Sequence, residues 1–135
     1  MKAEGESRKA EGAAAPPRDI EDRTLAYGVR AVRLFRALQE RPDRAGWIIG
    51  NQFLRSATSV GANVAEARSG ESRKDFVHKL QIAIKEARES LYWLRLIERT
   101  GLLPADRLAP LLAETDEIIS VLVAIVLSST RRGGG

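Results

Sequence analysis

Cysteine is absent from this sequence of 135 residues, and histidine occurs once, as His78. The missing cysteines exclude disulfide bonds, thiolate metal sites and a cysteine nucleophile. A lone histidine cannot supply a pair of histidine ligands to a metal within one chain, and no HExxH, glycine-rich phosphate loop or GxSxG sequence occurs. Glu86 and Glu89 alone do not complete a carboxylate metal site of the kind that helical bundles hold. We therefore expect no enzymatic activity, no metal and no cofactor.

Long apolar runs are also missing. The longest extends from Ile118 to Leu127 with Ser120 inside it, which is too short to span a bilayer. The N-terminal residues lack the apolar core of a signal peptide. We expect a cytoplasmic protein that makes no contact with a membrane.

The composition divides the chain into three parts. Residues 1–18 are rich in glycine, alanine, glutamate and lysine and contain Pro16 and Pro17, which is typical of a disordered arm. Residues 131–135 end in three glycines and are expected to form a flexible tail. Residues 19–130 are then expected to fold as one domain.

Four stretches of that domain place apolar residues at helical spacing. The first extends from Ile20 to Glu40 and ends before Pro42, because the residue preceding a proline disfavours the helical conformation. The second follows Asp43 and ends at Ser69-Gly70, the third follows Ser72 and ends before Gly101, and the fourth follows Pro104. Short connections between successive helices predict an all-α fold, an antiparallel up-down four-helix bundle.

Two of these helices are apolar on more than one side. Helix one has a line of Leu25, Val29, Val32 and Phe35 and, well off that face, a second line of Tyr27, Leu34 and Leu38. Helix four has an inward stripe of Leu108, Leu111, Thr115, Ile118, Leu122 and Ile125, and it is apolar nearly all round over residues 118–127. Such helices are usually buried on two sides. We expect self-association, although a partner protein accounts for the pattern equally well.

Polar residues follow one side of helix two and one side of helix three. The row on helix two has spacings of four, four and three, and comprises Arg55, Ser59, Asn63 and Glu66. Glu86, Glu89 and Trp93 share a face of helix three. A tight hairpin centred near Gly70 places Arg55 opposite Glu86, and Glu66 near Arg73 and Lys74. We interpret these groups as structural, because no nucleophile or titrating histidine accompanies them.

A third pattern consists of arginines. Those on helix one and just beyond it cluster within roughly a quarter of the circumference at 100° per residue, and they are Arg23, Arg30, Arg33, Arg41 and Arg44. The formal charge of +4 becomes +5 beyond residue 24, because residues 1–24 hold five basic and six acidic groups. Arginines on one face suit phosphate binding, whereas the lack of interleaved aromatics argues against base stacking. The alternative is a solvated face of a mildly basic protein.

Three motifs occur in order: RSATSVGANVAEA at 55–67, SRKDF at 72–76 and KEARESLYWL at 85–94. Over residues 24–130 the chain resembles the bacterial four-helix bundle proteins encoded by intervening sequences of large-subunit ribosomal RNA genes. The resemblance implies a basic, ring-shaped homopentamer. A related branch is the accessory protein of diversity-generating retroelements, which binds nucleic acid and the element's reverse transcriptase. The matching residues, which the resemblance assigns to the bundle interior or to subunit contacts, are Arg55, Ser59, Asn63, Glu66, Ser72, Phe76, Lys79, Glu86, Glu89 and Trp93.

The function expected from these patterns is a non-catalytic, homo-oligomeric scaffold that binds RNA or DNA mainly through phosphate contacts. The alternative is a protein-interaction adaptor with no nucleic acid role. The expected partners are further copies of this chain, RNA or DNA, and, as the resemblance implies, a reverse transcriptase or another protein.

Overall fold

The structure is a computed structural model that describes residues 18–134. Over that range it consists of four α-helices without a strand, so the all-helical prediction is confirmed. The helices are α1 (Arg18–Gln39), α2 (Arg44–Arg68), α3 (Arg73–Arg99) and α4 (Ala105–Gly134). Arg18, assigned above to the arm, is the first residue of α1, and the rest of the arm lies outside the described residues. Residues 131–134 continue α4 where a tail was expected.

The helix ends follow the signals in the sequence. Asp43 caps α2, because its Oδ1 accepts from the Ala45 amide at 2.9 Å and from the Gly46 amide at 3.4 Å. Ser72 caps α3 by accepting from the Asp75 amide at 3.0 Å. Gly101 adopts a φ of +73°, the left-handed conformation that glycine tolerates just beyond a helix end.

Each helix packs against its neighbours in the chain, and α1 closes the arrangement against α4 with the least contact of the four adjacent pairs. Successive helices run antiparallel, as contacts between them show. Arg55 of α2 contacts Glu86 of α3, whereas Glu66, further along α2, contacts Lys79, which is earlier on α3. Connections of four or five residues make this the simplest packing.

The core is aliphatic and takes one stripe from each helix. Of the stripe expected on α4, five residues are buried, and they are Leu108, Leu111, Thr115, Ile118 and Leu122. The stripe then continues through Val126, which is buried, whereas Ile125 is partly buried against the core. The stripe shifts by one residue, from Ile125 to Val126, because alternating steps of three and four residues fall slightly short of the helical repeat of 3.6 residues per turn over five turns.

On α1, the two apolar lines take different positions. Tyr27, Leu34 and Leu38 lie in the core, whereas Leu25 is 69% exposed and Val29 is 44% exposed. The buried line continues to Ile20 and so extends over most of the helix, while the other line spans only residues 25–35. The longer line buries more apolar surface, and burial of such surface is what drives packing.

Two glycines on α2 allow α1 to approach closely. A Cβ on Gly61 would lie 3.1 Å from the Thr24 carbonyl oxygen, and one on Gly50 would lie 2.9 Å from a methyl group of Leu38. The backbones of α1 and α2 are therefore closely packed at these two positions.

Candidate nucleic-acid interface

The first polar cluster joins α2 to α3. Arg55 Nη1 lies 3.3 Å from Glu86 Oε1, as expected, and Arg55 Nη2 donates to Glu89. Trp93 Nε1 donates to the same Glu89 carboxylate at 2.9 Å. The hydrogen bond from Arg55, followed by that from Trp93, holds the pKa of Glu89 below its ordinary value. The side chains of this cluster are about half exposed, and their polar groups bind one another. This fits a contact that fixes how α2 and α3 pack.

Elsewhere in the polar row of α2, the contact expected between Glu66 and Arg73 or Lys74 does not form. Glu66 binds Lys79 Nζ at 2.8 Å instead of Arg73 or Lys74. Helical side chains lean toward the N-terminus of their own helix, so Glu66 leans away from the turn while Lys79 leans back toward it. Of the remaining residues in the row, Ser59 donates to the Arg55 carbonyl and Asn63 donates to the Ser59 carbonyl, each at 2.9 Å.

A buried polar layer, which the sequence analysis did not identify, takes one side chain from each helix. The Tyr27 hydroxyl of α1 lies 2.7 Å from Thr115 Oγ1 of α4, and Ser90 Oγ of α3 lies 3.0 Å from Ser56 Oγ of α2. All four residues are at most 1% exposed. Desolvation raises the pKa of Tyr27 to about 12, against the opposing effect of hydrogen bonds with Thr115 and Ser90. The signal for this layer in the sequence is a hydroxyl residue within the apolar stripe of each of three helices, namely Ser56, Ser90 and Thr115.

Arg23 does not belong to a free arginine surface. Its Nε and Nη2 donate to the two carboxylate oxygens of Glu114 at 2.7 and 3.0 Å, and Nη2 also lies 3.7 Å from Glu117. The hydrogen bond with Glu114 raises the pKa of Arg23. Arg23 therefore joins α1 to α4, and its proposed role in phosphate binding is not supported by its surroundings.

The other four arginines have no such partner. Arg33, Arg41 and Arg44 are exposed and Arg30 is half-buried. Within residues 18–134, no carboxylate forms an ion pair with any of them. These four residues are called the free arginines below.

Two of the free arginines share a pocket with an aromatic residue. The pocket has a volume of about 570 Å³, lies at the connection between α1 and α2, and is lined by Arg41, Pro42, Asp43, Arg44, Trp47 and Ile48. The Trp47 side chain is 50% exposed. The expectation that no aromatic accompanies the arginines is therefore wrong at this connection. The signal was present in the sequence, because Trp47 follows Arg44 by about one helical turn.

Two apolar surfaces lie on opposite sides of the bundle. The α1/α2 groove has a volume of about 650 Å³ and is lined by Leu25, Val29 and Val32 together with small residues of α2 such as Gly61, Ala62 and Ala65. The α3/α4 patch, with a pocket of about 360 Å³, exposes Leu127 and part of Val123 above the buried Ile84 and Val126, with Lys85 and Arg88 beside them. Glu21 and Asp22 also line the α1/α2 groove, where Glu21 forms an ion pair with Arg68 at 3.5 Å.

The described residues contain neither a metal-binding group nor a membrane-spanning helix. Over the part of the chain that the structure describes, acidic residues and His78 do not gather into a group of three that suits a metal ion. Across the same range, every helix falls short of the length and apolarity that crossing a membrane requires.

Comparison with known proteins identifies relatives of this bundle. The model of the 23S rRNA-intervening sequence protein family matches residues 29–124. The chain is also similar to a protein of unknown function from the S23 ribosomal protein family of Bacteroides thetaiotaomicron VPI-5482. That crystal structure has 37% sequence identity and a TM-score of 0.76, and the match covers 81% of this chain and 96% of that chain. No curated protein matches the chain. The family resemblance drawn from the three motifs is confirmed.

Proposed function

The chain belongs to the 23S rRNA-intervening sequence protein family, and from this premise we propose that it is a non-catalytic, homo-oligomeric scaffold that binds RNA or DNA mainly through phosphate contacts. The observation that carries the proposal is the set of free arginines, Arg30, Arg33, Arg41 and Arg44. An arginine without a carboxylate partner is available to a phosphate, to which it presents a planar fork of donors.

Self-association strengthens the proposal, because one subunit carries little charge. A formal charge of +4 permits weak binding to a phosphate backbone but does not by itself give high affinity. An oligomer repeats the free arginines in every subunit, and a second contact to the same nucleic acid then benefits from a high effective concentration.

The two apolar surfaces support a head-to-tail oligomer. The α1/α2 groove of one subunit would receive the α3/α4 patch of the next, so that exposed Leu25 and Val29 meet Leu127. Two different surfaces that meet in this way generate a closed ring when the rotation from each subunit to the next returns to the first subunit. We propose five subunits, the number that the family resemblance implies.

The first test is the mass of the protein by light scattering on a sizing column, alone and with a short structured RNA, at low and physiological salt. We expect a multimer that elutes with RNA at low salt and loses much of it at physiological salt, because phosphate contacts release counterions. A multimer that ignores RNA at both salt concentrations would contradict the proposal.

A charge-reversal variant sharpens this test. Changing Arg30, Arg33 and Arg41 to glutamate should abolish RNA binding and leave the mass of the multimer unchanged. The matched control carries the same change in charge at Lys74, Arg95 and Arg131, which are also exposed. Equal loss in both variants would indicate an effect of net charge, without a role for the free arginines.

The runner-up is a protein-interaction adaptor, and the α1/α2 groove is the observation that favours it. Leu25 and Val29 are exposed there beside residues small enough to admit another helix. A partner such as a reverse transcriptase, which the family resemblance implies, would then occupy the groove in place of a second subunit. Val29→Glu separates the two: it should dissociate a multimer built on this groove, whereas a groove reserved for another protein predicts an unchanged mass. A cytoplasmic location stays a prediction under either function.

A further inference from the structure

The pocket at the connection between α1 and α2 combines two kinds of side chain that single-stranded nucleic acids require. Trp47 exposes half of its surface, and Arg41 and Arg44 line the same pocket. Indole faces stack with nucleobases of any sequence, while arginines track the phosphates between them. A volume of about 570 Å³ is also within the range of small-molecule pockets, which is ample for one nucleobase.

The one carboxylate in the pocket is already engaged. Asp43 Oδ1 accepts hydrogen bonds from the Ala45 and Gly46 amides at the start of α2. This interaction occupies the amides and directs the carboxylate toward the helix. Asp43 keeps its negative charge, but neither Arg41 nor Arg44, which line the same pocket, forms an ion pair with it or with another carboxylate among residues 18–134.

The second tryptophan is held differently. Trp93 donates its indole N–H to Glu89, and its ring lies 4.9 Å from that of Tyr92 between centroids, at an interplanar angle of 74°. Trp93 is thus fixed within the α2/α3 cluster, whereas the indole ring of Trp47 has no hydrogen-bond or aromatic partner among residues 18–134. Trp47 is therefore the tryptophan with a face available to a ligand.

We propose that this pocket binds an unpaired nucleotide of single-stranded RNA or DNA, with the base stacked on Trp47 and the flanking phosphates bound by Arg41 and Arg44. The inference rests on the proposed function and extends it, because phosphate contacts alone do not distinguish single strands from duplexes. The pocket would favour single-stranded segments, since a base within a duplex is not available for stacking.

The test measures binding of three probes of equal length: oligothymidylate, an abasic oligomer with the same number of phosphates, and a DNA duplex. In a Trp93→Phe background, Trp47 is the sole tryptophan, and its fluorescence reports stacking directly. We expect oligothymidylate to quench Trp47 and the abasic oligomer to leave its fluorescence unchanged. Trp47→Leu should weaken oligothymidylate binding about 5- to 150-fold, the range measured for loss of one stacked base, and Trp47→Tyr should restore part of it.

Other results separate the two proposals. If duplex and abasic probes bind as tightly as oligothymidylate and Trp47→Leu changes nothing, the nucleotide pocket is refuted while phosphate binding stands. If no probe binds at low salt, both proposals fail. If Trp47→Leu changes the mass of the multimer, Trp47 is a subunit contact, and its assignment to a nucleobase is wrong.

Discussion

Tyr27 provides the sharpest test of how the core is built. Its hydroxyl is buried and lies 2.7 Å from Thr115 Oγ1, and burial raises its pKa from 10.0 to about 12. Below pH 10 the side chain is neutral in both the folded and the unfolded chain. Between pH 10 and pH 12 the unfolded chain loses the proton while the folded chain keeps it, so unfolding becomes more favourable as the pH rises.

The size of the effect follows from the shift. A shift of about two pKa units corresponds to about 3 kcal/mol of stability, of which about half should already be lost at pH 11. The measurement is the free energy of unfolding in urea at a series of pH values for the wild type and for Tyr27→Phe. The difference between them isolates Tyr27, because all other titrating groups are shared.

The variants have a clear expected pattern. At neutral pH, Tyr27→Phe should cost only about 1 kcal/mol, because Thr115 still donates to the Leu111 carbonyl at 2.7 Å. Its stability should then fall less than that of the wild type between pH 10 and pH 12. Tyr92→Phe, which removes the hydroxyl of the 58% exposed tyrosine, is the matched control and should follow the wild type. If Tyr27→Phe loses stability as steeply as the wild type, the buried position of the hydroxyl is refuted.

Three further predictions concern α1 and the helix ends. Arg23→Ala should lower the free energy of unfolding and leave RNA affinity unchanged. Arg33→Ala should lower RNA affinity and leave the free energy of unfolding unchanged. An equal loss of affinity in both variants would show that Arg23 also contacts the nucleic acid. Ser72→Ala should cost about 1 kcal/mol in urea denaturation, because it removes the acceptor for an amide in the first turn of α3; a cost near zero would mean that the cap does not persist in solution. Gly28→Ala should raise the melting temperature through a gain of up to about 1 kcal/mol, since its Cβ meets no atom within 4 Å. Gly61→Ala should gain less or lose stability, because its Cβ would lie 3.1 Å from a backbone oxygen of α1, and an equal gain at both positions would contradict the close approach.

The elements that the sequence predicts well are local. The starts of α2 and α3 depend on Asp43 and Ser72, whose side chains bind amides two or three residues away. The contact between Arg55 and Glu86 follows from a short turn, which fixes the register of the hairpin over the four turns that separate it from Gly70. Little information beyond spacing is needed for such contacts.

The elements that it misses depend on residues distant in the chain. Arg23 pairs with Glu114, which lies 91 positions away, and no local pattern indicates which arginine finds a carboxylate. Which of the two apolar lines of α1 enters the core likewise depends on the surfaces of α2 and α4 that pack against it, since both lines satisfy the helical period. The pocket beside Trp47 is not evident from the arginine spacing, because the connection between α1 and α2 brings Arg41 and Arg44 to the same pocket as its ring.

The weak contact between α1 and α4 has a consequence for the order in which the fold assembles. The other three helix pairs are hairpins whose partners are consecutive in the chain, whereas α1 and α4 come together only after a loop that contains both other helices has closed. Closing a long loop is the entropically costlier step. We therefore expect the contact between α1 and α4 to form last during folding and to open first under mild destabilisation, so that the amides of these two terminal helices exchange with deuterium before those of α2 and α3.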